Sequence, residues 1–289
     1  MLFDVHFAGG EQMNIHTLKD IPPWDWPGNA AEIISKVLRE KSAPGPDRVL
    51  AAELAGDPVA INDDLGNLLL TIIRDNDEPE ELRAKAAISL GPALDYGSLM
   101  EFDDPDDIML SKGVFNKVQK QLQNIYQDTD TPKTLRRRVL EASVRAPMDW
   151  HKRAIQEAYR SNDHEWLLTA VFCMGYVKGF DDQILESLKS ENPDIFFEAV
   201  CSAGNREVKA AWPYIKEILT GEDIDKPLLL AAINASSPIN PYESVDILNE
   251  LSFSDDEDIA EAVEDALHNA GMYADDLSDY DDLPEDDLF

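Results

Sequence analysis

Apolar residues recur every three or four positions along most of the chain, as in Leu135, Val139 and Leu140 or Ile184, Leu185 and Leu188. That period belongs to helices that bury one face. Several stretches share a further signature, a small residue inside an apolar run with Gly or Pro five positions later. They are AAELAG (51–56), AAISLG (86–91), ASVRAP (142–147), AVFCMG (170–175) and AVCSAG (199–204), with weaker copies AINASS (232–237) and AVEDAL (262–267). The small anchors are Ala51, Ala86, Ala142, Ala170, Ala199, Ala232 and Ala262, spaced by 35, 56, 28, 29, 33 and 30 residues. A fixed period of this length marks a repeat array. The long interval holds EFDDPDDI, so one unit is expected to carry an acidic loop insertion at about 95–110.

Each unit fits two helices. TPKTLRRRVLEASVRAP is expected to form a first helix and DWHKRAIQEAYRSND a second; PDIFFEAVCSAGN and AAWPYIKEILTG form another such pair. Pro79, Pro132, Pro193 and Pro227 sit near first-helix starts, where a missing N–H costs nothing. Gly175, Gly204 and Gly221 fall near helix ends, where a positive φ is expected. No strand pattern appears after residue 28. The prediction is all-α, an α–α superhelix of about seven helix hairpins. Short helix pairs cannot bury their apolar faces alone, so neighbouring pairs must stack. Small residues at the contact let the helices approach.

This pattern resembles the HEAT-repeat family, in the short form of about 30 residues also found in phycobilin lyases. Pro79, Leu82, Arg83, Ala86, Ala87, Leu90 and Gly91 in EPEELRAKAAISLG carry the resemblance, and Pro132, Leu135, Arg138, Ala142 and Pro147 repeat it with Pro replacing Gly. It implies an armadillo-like solenoid over roughly residues 30–270 and leaves function open, because such arrays serve many roles.

Three regions follow. Residues 1–28 form an expected capping segment: LFDVHF and MNIHTL alternate like a small hairpin, and Trp24 and Trp26 are expected to cover the open end of the first unit. Residues 29–272 are the repeat array. Residues 273–289 are expected to be a flexible acidic tail, because Asp255–Phe289 holds 15 acidic residues and no Lys or Arg.

Charge narrows the partners. The chain has 58 acidic and 25 basic residues, a net charge of −33, with 44% hydrophobic residues to supply a core. That balance argues against nucleic-acid phosphate and anionic membranes as partners. It favours a basic protein. Two cysteines provide no disulfide framework, and no secretory signal is visible, which points to the cytoplasm.

Candidate chemistry is sparse. HEAT arrays of the deoxyhypusine hydroxylase kind hold two irons through several His-Glu pairs; only His164-Glu165 occurs here, so no metal and no di-iron enzyme are expected. Cys173 and Cys201 lie in apolar runs without metal-ligand spacing. No phosphate-cradling or nucleophile-elbow motif occurs, so no cofactor and no catalytic residue are expected. The stretch 133–160 is a basic island containing Arg136, Arg137 and Arg138, which reads as ion pairs to neighbouring units or as a site for an acidic segment. Aromatic residues beside it would anchor a partner. The candidate contacts are Arg136 and Arg137 of the island, with Trp150, Arg153, Tyr159 and Trp212 on the premise that second helices line the concave side. The expected function is a non-catalytic scaffold or adaptor binding protein partners on that surface. Alternatives are an accessory subunit of chromophore attachment, or an acidic decoy for a basic nucleic-acid-binding protein.

Overall fold

The computed structural model describes residues 14–100 and 108–281, and every regular element among them is helical. The chain divides into two compact units after Pro147. The first contains α1 (Ile15–Asp20), α2 (Ala30–Arg39), α3 (Gly45–Leu54), α4 (Asp63–Arg74), α5 (Glu80–Ile88), α6 (Gly91–Leu99), α7 (Lys112–Gln127) and α8 (Lys133–Ser143). The second contains α9 (Asp149–Tyr159), α10 (His164–Met174), α11 (Asp181–Ser187), α12 (Pro193–Asn205), α13 (Trp212–Leu219), α14 (Lys226–Ile239), α15 (Pro241–Leu251) and α16 (Glu257–Asp281).

Two expectations at the N-terminal end are corrected. Residues 14–18 of MNIHTL are not a strand, because the Asn14 side chain accepts the N–H groups of His16 and Thr17 and starts α1. Trp26 is buried and donates Nε1–H to the carbonyls of Leu18 (2.9 Å) and Ile21 (3.2 Å), whereas Trp24 is 80% exposed. The other half of the expected hairpin lies outside the described residues, as do 101–107 of the acidic insertion. The insertion region begins with a helix, α6, rather than a loop. At the other end, the α16 backbone runs to Asp281, past the boundary expected at 272, and 282–289 lie outside the described residues.

Two kinds of helix alternate. The helices bearing the small anchors pack on one another in chain order: α3, α5 and α8 in the first unit, and α10, α12, α14 and α16 in the second. Each alternate helix packs on the anchor helix that follows it, as α4 on α5, α9 on α10 and α13 on α14. The tight hairpin is therefore alternate helix then anchor helix, the reverse of the division expected from sequence. In the second unit the alternate helices reach one another through long polar side chains, such as Tyr159 to Glu186 and Trp212 to Glu243. A stack that is close in one layer and open in the other bends toward the close layer. The anchor helices, second in each hairpin as the helices pair, thus form the inner side, and α9 and α13, expected from sequence to line it, do not.

A common register emerges when positions are counted from each anchor helix's cap, namely Pro44, Pro79, Pro132, Asp163, Asn192, Asp225 and Asp256. The twelfth residue after one cap meets the tenth after the next. A Cβ added at Gly56 would lie 2.2 Å from the Ser89 carbonyl oxygen, and one at Gly204 would lie 2.8 Å from Ala235 Cα. Gly175 faces Ser202 at 3.1 Å, and Gly91 faces Ala142 Cα at 3.7 Å with Arg145 at 2.9 Å. Ser237 takes the glycine's place once and donates its hydroxyl to the Ala266 carbonyl at 2.6 Å. These glycines serve close approach rather than a left-handed turn: the only positive-φ glycine among the described residues is Gly179. Gly175 is right-handed helical (φ −62°).

Gly56→Ala is expected to destabilise the first unit by about 2–3 kcal/mol through overpacking. Gly45→Ala, where nothing lies within 4 Å of the added carbon, should stay within about 0.5 kcal/mol of the parent. Urea titrations followed by circular dichroism compare the two.

Candidate functional site

In the first unit the fourth residue after each cap is an arginine that closes the end of the preceding helix. Arg48 Nη2 donates to the Leu38 carbonyl at 2.9 Å, Arg83 Nε to that of Ile73 at 2.9 Å, and Arg136 Nε to that of Tyr126 at 3.1 Å. Cations at these carbonyl ends are favoured by the helix dipole. The matching arginine in α8 is thus Arg136, not Arg138 as the sequence resemblance aligned it. Arg48 also holds Glu78 through both Nη atoms (2.6 and 2.9 Å), and Lys41 reaches Asp75 at 2.8 Å and Glu78 at 3.5 Å. Hydrogen bonds from Arg48 hold the Glu78 carboxyl below the usual carboxylate range, against the opposing effect of burial. The network lines a groove of about 710 Å³ with Val49, Glu53 and Leu82. The charges there neutralise one another, so the groove has no single sign to offer a ligand.

Arg48→Met strands a buried carboxylate and should cost the first unit about 3 kcal/mol. Adding Glu78→Leu should recover most of that loss, measured as the shift in urea midpoint.

The six residues singled out from sequence are held within the chain. Arg136 lies over the Tyr126 ring at 5.2 Å. Arg137 is buried near Glu141 at 4.0 Å, and Glu141 also takes Arg138 at 2.5 Å, so this part of the basic island is internal pairing. Arg153 is exposed and bridges to Glu157 at 2.7 Å. Trp150 stacks on His151 with centroids 3.8 Å apart. The Tyr159 hydroxyl donates to Glu186 at 2.8 Å, and burial with that carboxylate raises its pKa to about 12. Trp212 is buried and donates Nε1–H to Glu243 at 3.0 Å. Trp150, Arg153, Tyr159 and Trp212 belong to α9 and α13, in the open layer.

The inner layer of the second unit carries what sequence reasoning missed. A groove of about 390 Å³ crosses α10, α12 and α14, lined by Phe172, Tyr176, Phe197, Cys201 and Ala231, with Glu198 among them. The Phe172 and Tyr176 rings lie 5.4 Å apart. The signal was available in the register: the fifth and ninth positions after the cap read Val49 and Glu53, Ala84 and Ile88, Arg137 and Glu141 in the first unit. They read Leu168 and Phe172, Phe197 and Cys201, Leu230 and Asn234 in the second. A count anchored on the wrong residue in α8 hides that contrast.

Neither the thiol nor the imidazole candidate is set up for chemistry. Burial raises the Cys201 thiol to about 11, which disfavours the thiolate that reactivity requires. His151 is fully buried; Met148 N–H donates to its Nδ1 at 2.8 Å, and burial lowers its pKa to about 4. His164 is exposed at the start of α10, and among the described residues no group of three or more His, Cys, Asp or Glu is arranged to hold a metal.

With a folded-state value near 4 and an ordinary unfolded value, His151 is neutral when folded and protonated when unfolded across the interval between them. Stability of the second unit is therefore expected to fall as pH drops from 6.5 toward 4, by on the order of 3 kcal/mol in full. His151→Leu should flatten this slope in chemical denaturation between pH 7 and 5.

Neither family profiles nor curated proteins match the chain. Solved structures that resemble it include YibA of E. coli, at 16% identity over 88% of this chain and 85% of that one, with a TM-score of 0.44. Human deoxyhypusine hydroxylase in complex with glycerol is 16% identical over 89% and 88% of the two chains, with a TM-score of 0.39. An engineered protein is 16% identical over 84% and 97%, with a TM-score of 0.33. One of these is an enzyme, so the expectation that the chain is not an enzyme is withdrawn. Among the described residues no helix is long and apolar enough to cross a membrane. The stacked helix pairs give the chain an all-α, HEAT-like solenoid fold.

Proposed function

We propose that the protein is a scaffold that holds a protein partner on the inner layer of its stacked helices. The observation supporting this is the charge carried by the second half of the sequence. Residues 148–289 hold 33 acidic and nine basic residues, a net −24 of the chain's −33. Several of the cations are already engaged: Lys226 with Asp256 (2.7 Å) and Asp258 (2.6 Å), Lys216 with Glu243 (3.1 Å), and Arg153 with Glu157. The surplus is carboxylate, and such a field accelerates encounter with a basic partner. A pre-formed surface avoids much of the ordering cost of binding. The anchor spacing near 30 residues fits short HEAT-like repeats of the kind found in phycobilin lyases, and the reading places this work in the cytoplasm.

Full-length protein immobilised at about 50 mM salt is expected to retain a basic protein from extract of its own cell. The association rate should fall at least about tenfold when salt is raised to about 500 mM. Recovery of background only, or an association rate indifferent to salt, discards this reading.

A further inference from the structure

We infer that the groove across α10, α12 and α14 is the docking site, and that its occupant is a cationic amphipathic segment of another protein. This rests on the scaffold reading and names its surface and partner chemistry.

The argument begins with what the stack requires. In the first unit, the inner-face positions five and nine residues after the caps hold Glu53, Ala84, Arg137 and Glu141 beside Val49 and Ile88, with Lys85 bridging to Glu53 at 2.9 Å between neighbouring anchor helices. Packing of anchor helices therefore does not call for large apolar groups there. The second unit nevertheless places Leu168, Phe172, Phe197, Cys201 and Leu230 at the same positions, each only half-buried. Phe172, Phe197 and Cys201 line a concavity whose floor is small, formed by Gly204, Ala231 and Ala235. A cleft walled by aromatic rings over a small-residue floor accepts bulky aliphatic or aromatic side chains.

The surroundings select their sign. Glu165 and Asp194 stand on the first turns of α10 and α12, three residues before Leu168 and Phe197, Glu198 lines the groove itself, and Asn205 and Asn234 add neutral hydrogen-bonding groups at the exposed edge. A segment with two or three large apolar side chains flanked by Lys or Arg satisfies both features. Its apolar groups would fill the cleft, and its cations would lie against the three carboxylates. Nucleic acid and anionic lipid fail on charge.

The test uses full-length protein and three synthetic 18-residue peptides: an amphipathic Leu/Lys helix, the same composition scrambled to destroy the apolar face, and the Leu/Glu counterpart. Binding is measured by calorimetry at about 150 mM salt, and the site by hydrogen exchange. The amphipathic Leu/Lys peptide should bind at least about tenfold more tightly than the scrambled one, with new protection confined to α10, α12 and α14. Phe172→Ser with Phe197→Ser, which keeps the charge, should weaken it at least about tenfold; Glu198→Gln, which keeps the cleft, should weaken it less. Both variants are first checked for parental helicity and melting.

The assignment is overturned by no binding, by equal affinity for the scrambled peptide, by a double-serine variant that binds as the parent does, or by protection elsewhere. A cellular partner retained equally by parent and double-serine protein would overturn this site while leaving the scaffold reading intact. Loss of every partner in extract would remove the scaffold reading instead.

Discussion

The close approach of successive anchor helices is the constraint on which the rest depends. At Gly56 and Ser89, or at Gly204 and Ala235, backbone meets near-backbone with no room for an added carbon. That contact sets the spacing within the inner layer and leaves the alternate helices farther apart. Which side of each unit is concave follows from it. So does the width of the groove over α12, since its floor consists of the residues small enough to permit the approach.

Around that contact the two units solve the same problem with different chemistry. The first unit closes the carbonyl ends of its alternate helices with Arg48, Arg83 and Arg136 and carries the Lys85–Glu53 ion pair on its inner face. The second has Leu167, Phe196 and Leu229 at the fourth position, and its charge is overwhelmingly acidic. Burying a carboxylate such as Glu78 is tolerable because two guanidinium nitrogens face it, with the Lys41 ammonium at 3.5 Å. The second unit avoids that cost by placing its carboxylates in water, where repulsion is screened.

Several features were legible in the sequence for sound reasons. The three-to-four period requires helices, and the repeated small residue requires stacking. The purpose of the glycines was misread, because a glycine that ends a helix with positive φ and one that admits a neighbour look alike in sequence. The register slipped in α8. Ala142 was aligned with Ala86, whereas counting from the caps makes Val139 its equivalent and places Ala142 against Gly91. The same slip matched Arg138 rather than Arg136 to Arg83. The basic island was read as ion pairs to neighbouring units, whereas Arg137 and Arg138 pair with Glu141 of their own helix, since three consecutive helical arginines cannot all face water.

By itself the sequence determined the helical class, the repeat length and the sign of the charge. Each of these is a local or summed property of residue types. Only the tertiary structure decided which helix pairs with which, which layer is inner, and that Trp212 and Arg137 are buried while Phe172 and Phe197 border a cleft. Those outcomes depend on how far apart two helices sit, and that distance is set by contacts between residues about thirty positions apart in the chain. A one-dimensional pattern can reveal that such contacts recur. It does not contain the side on which they close.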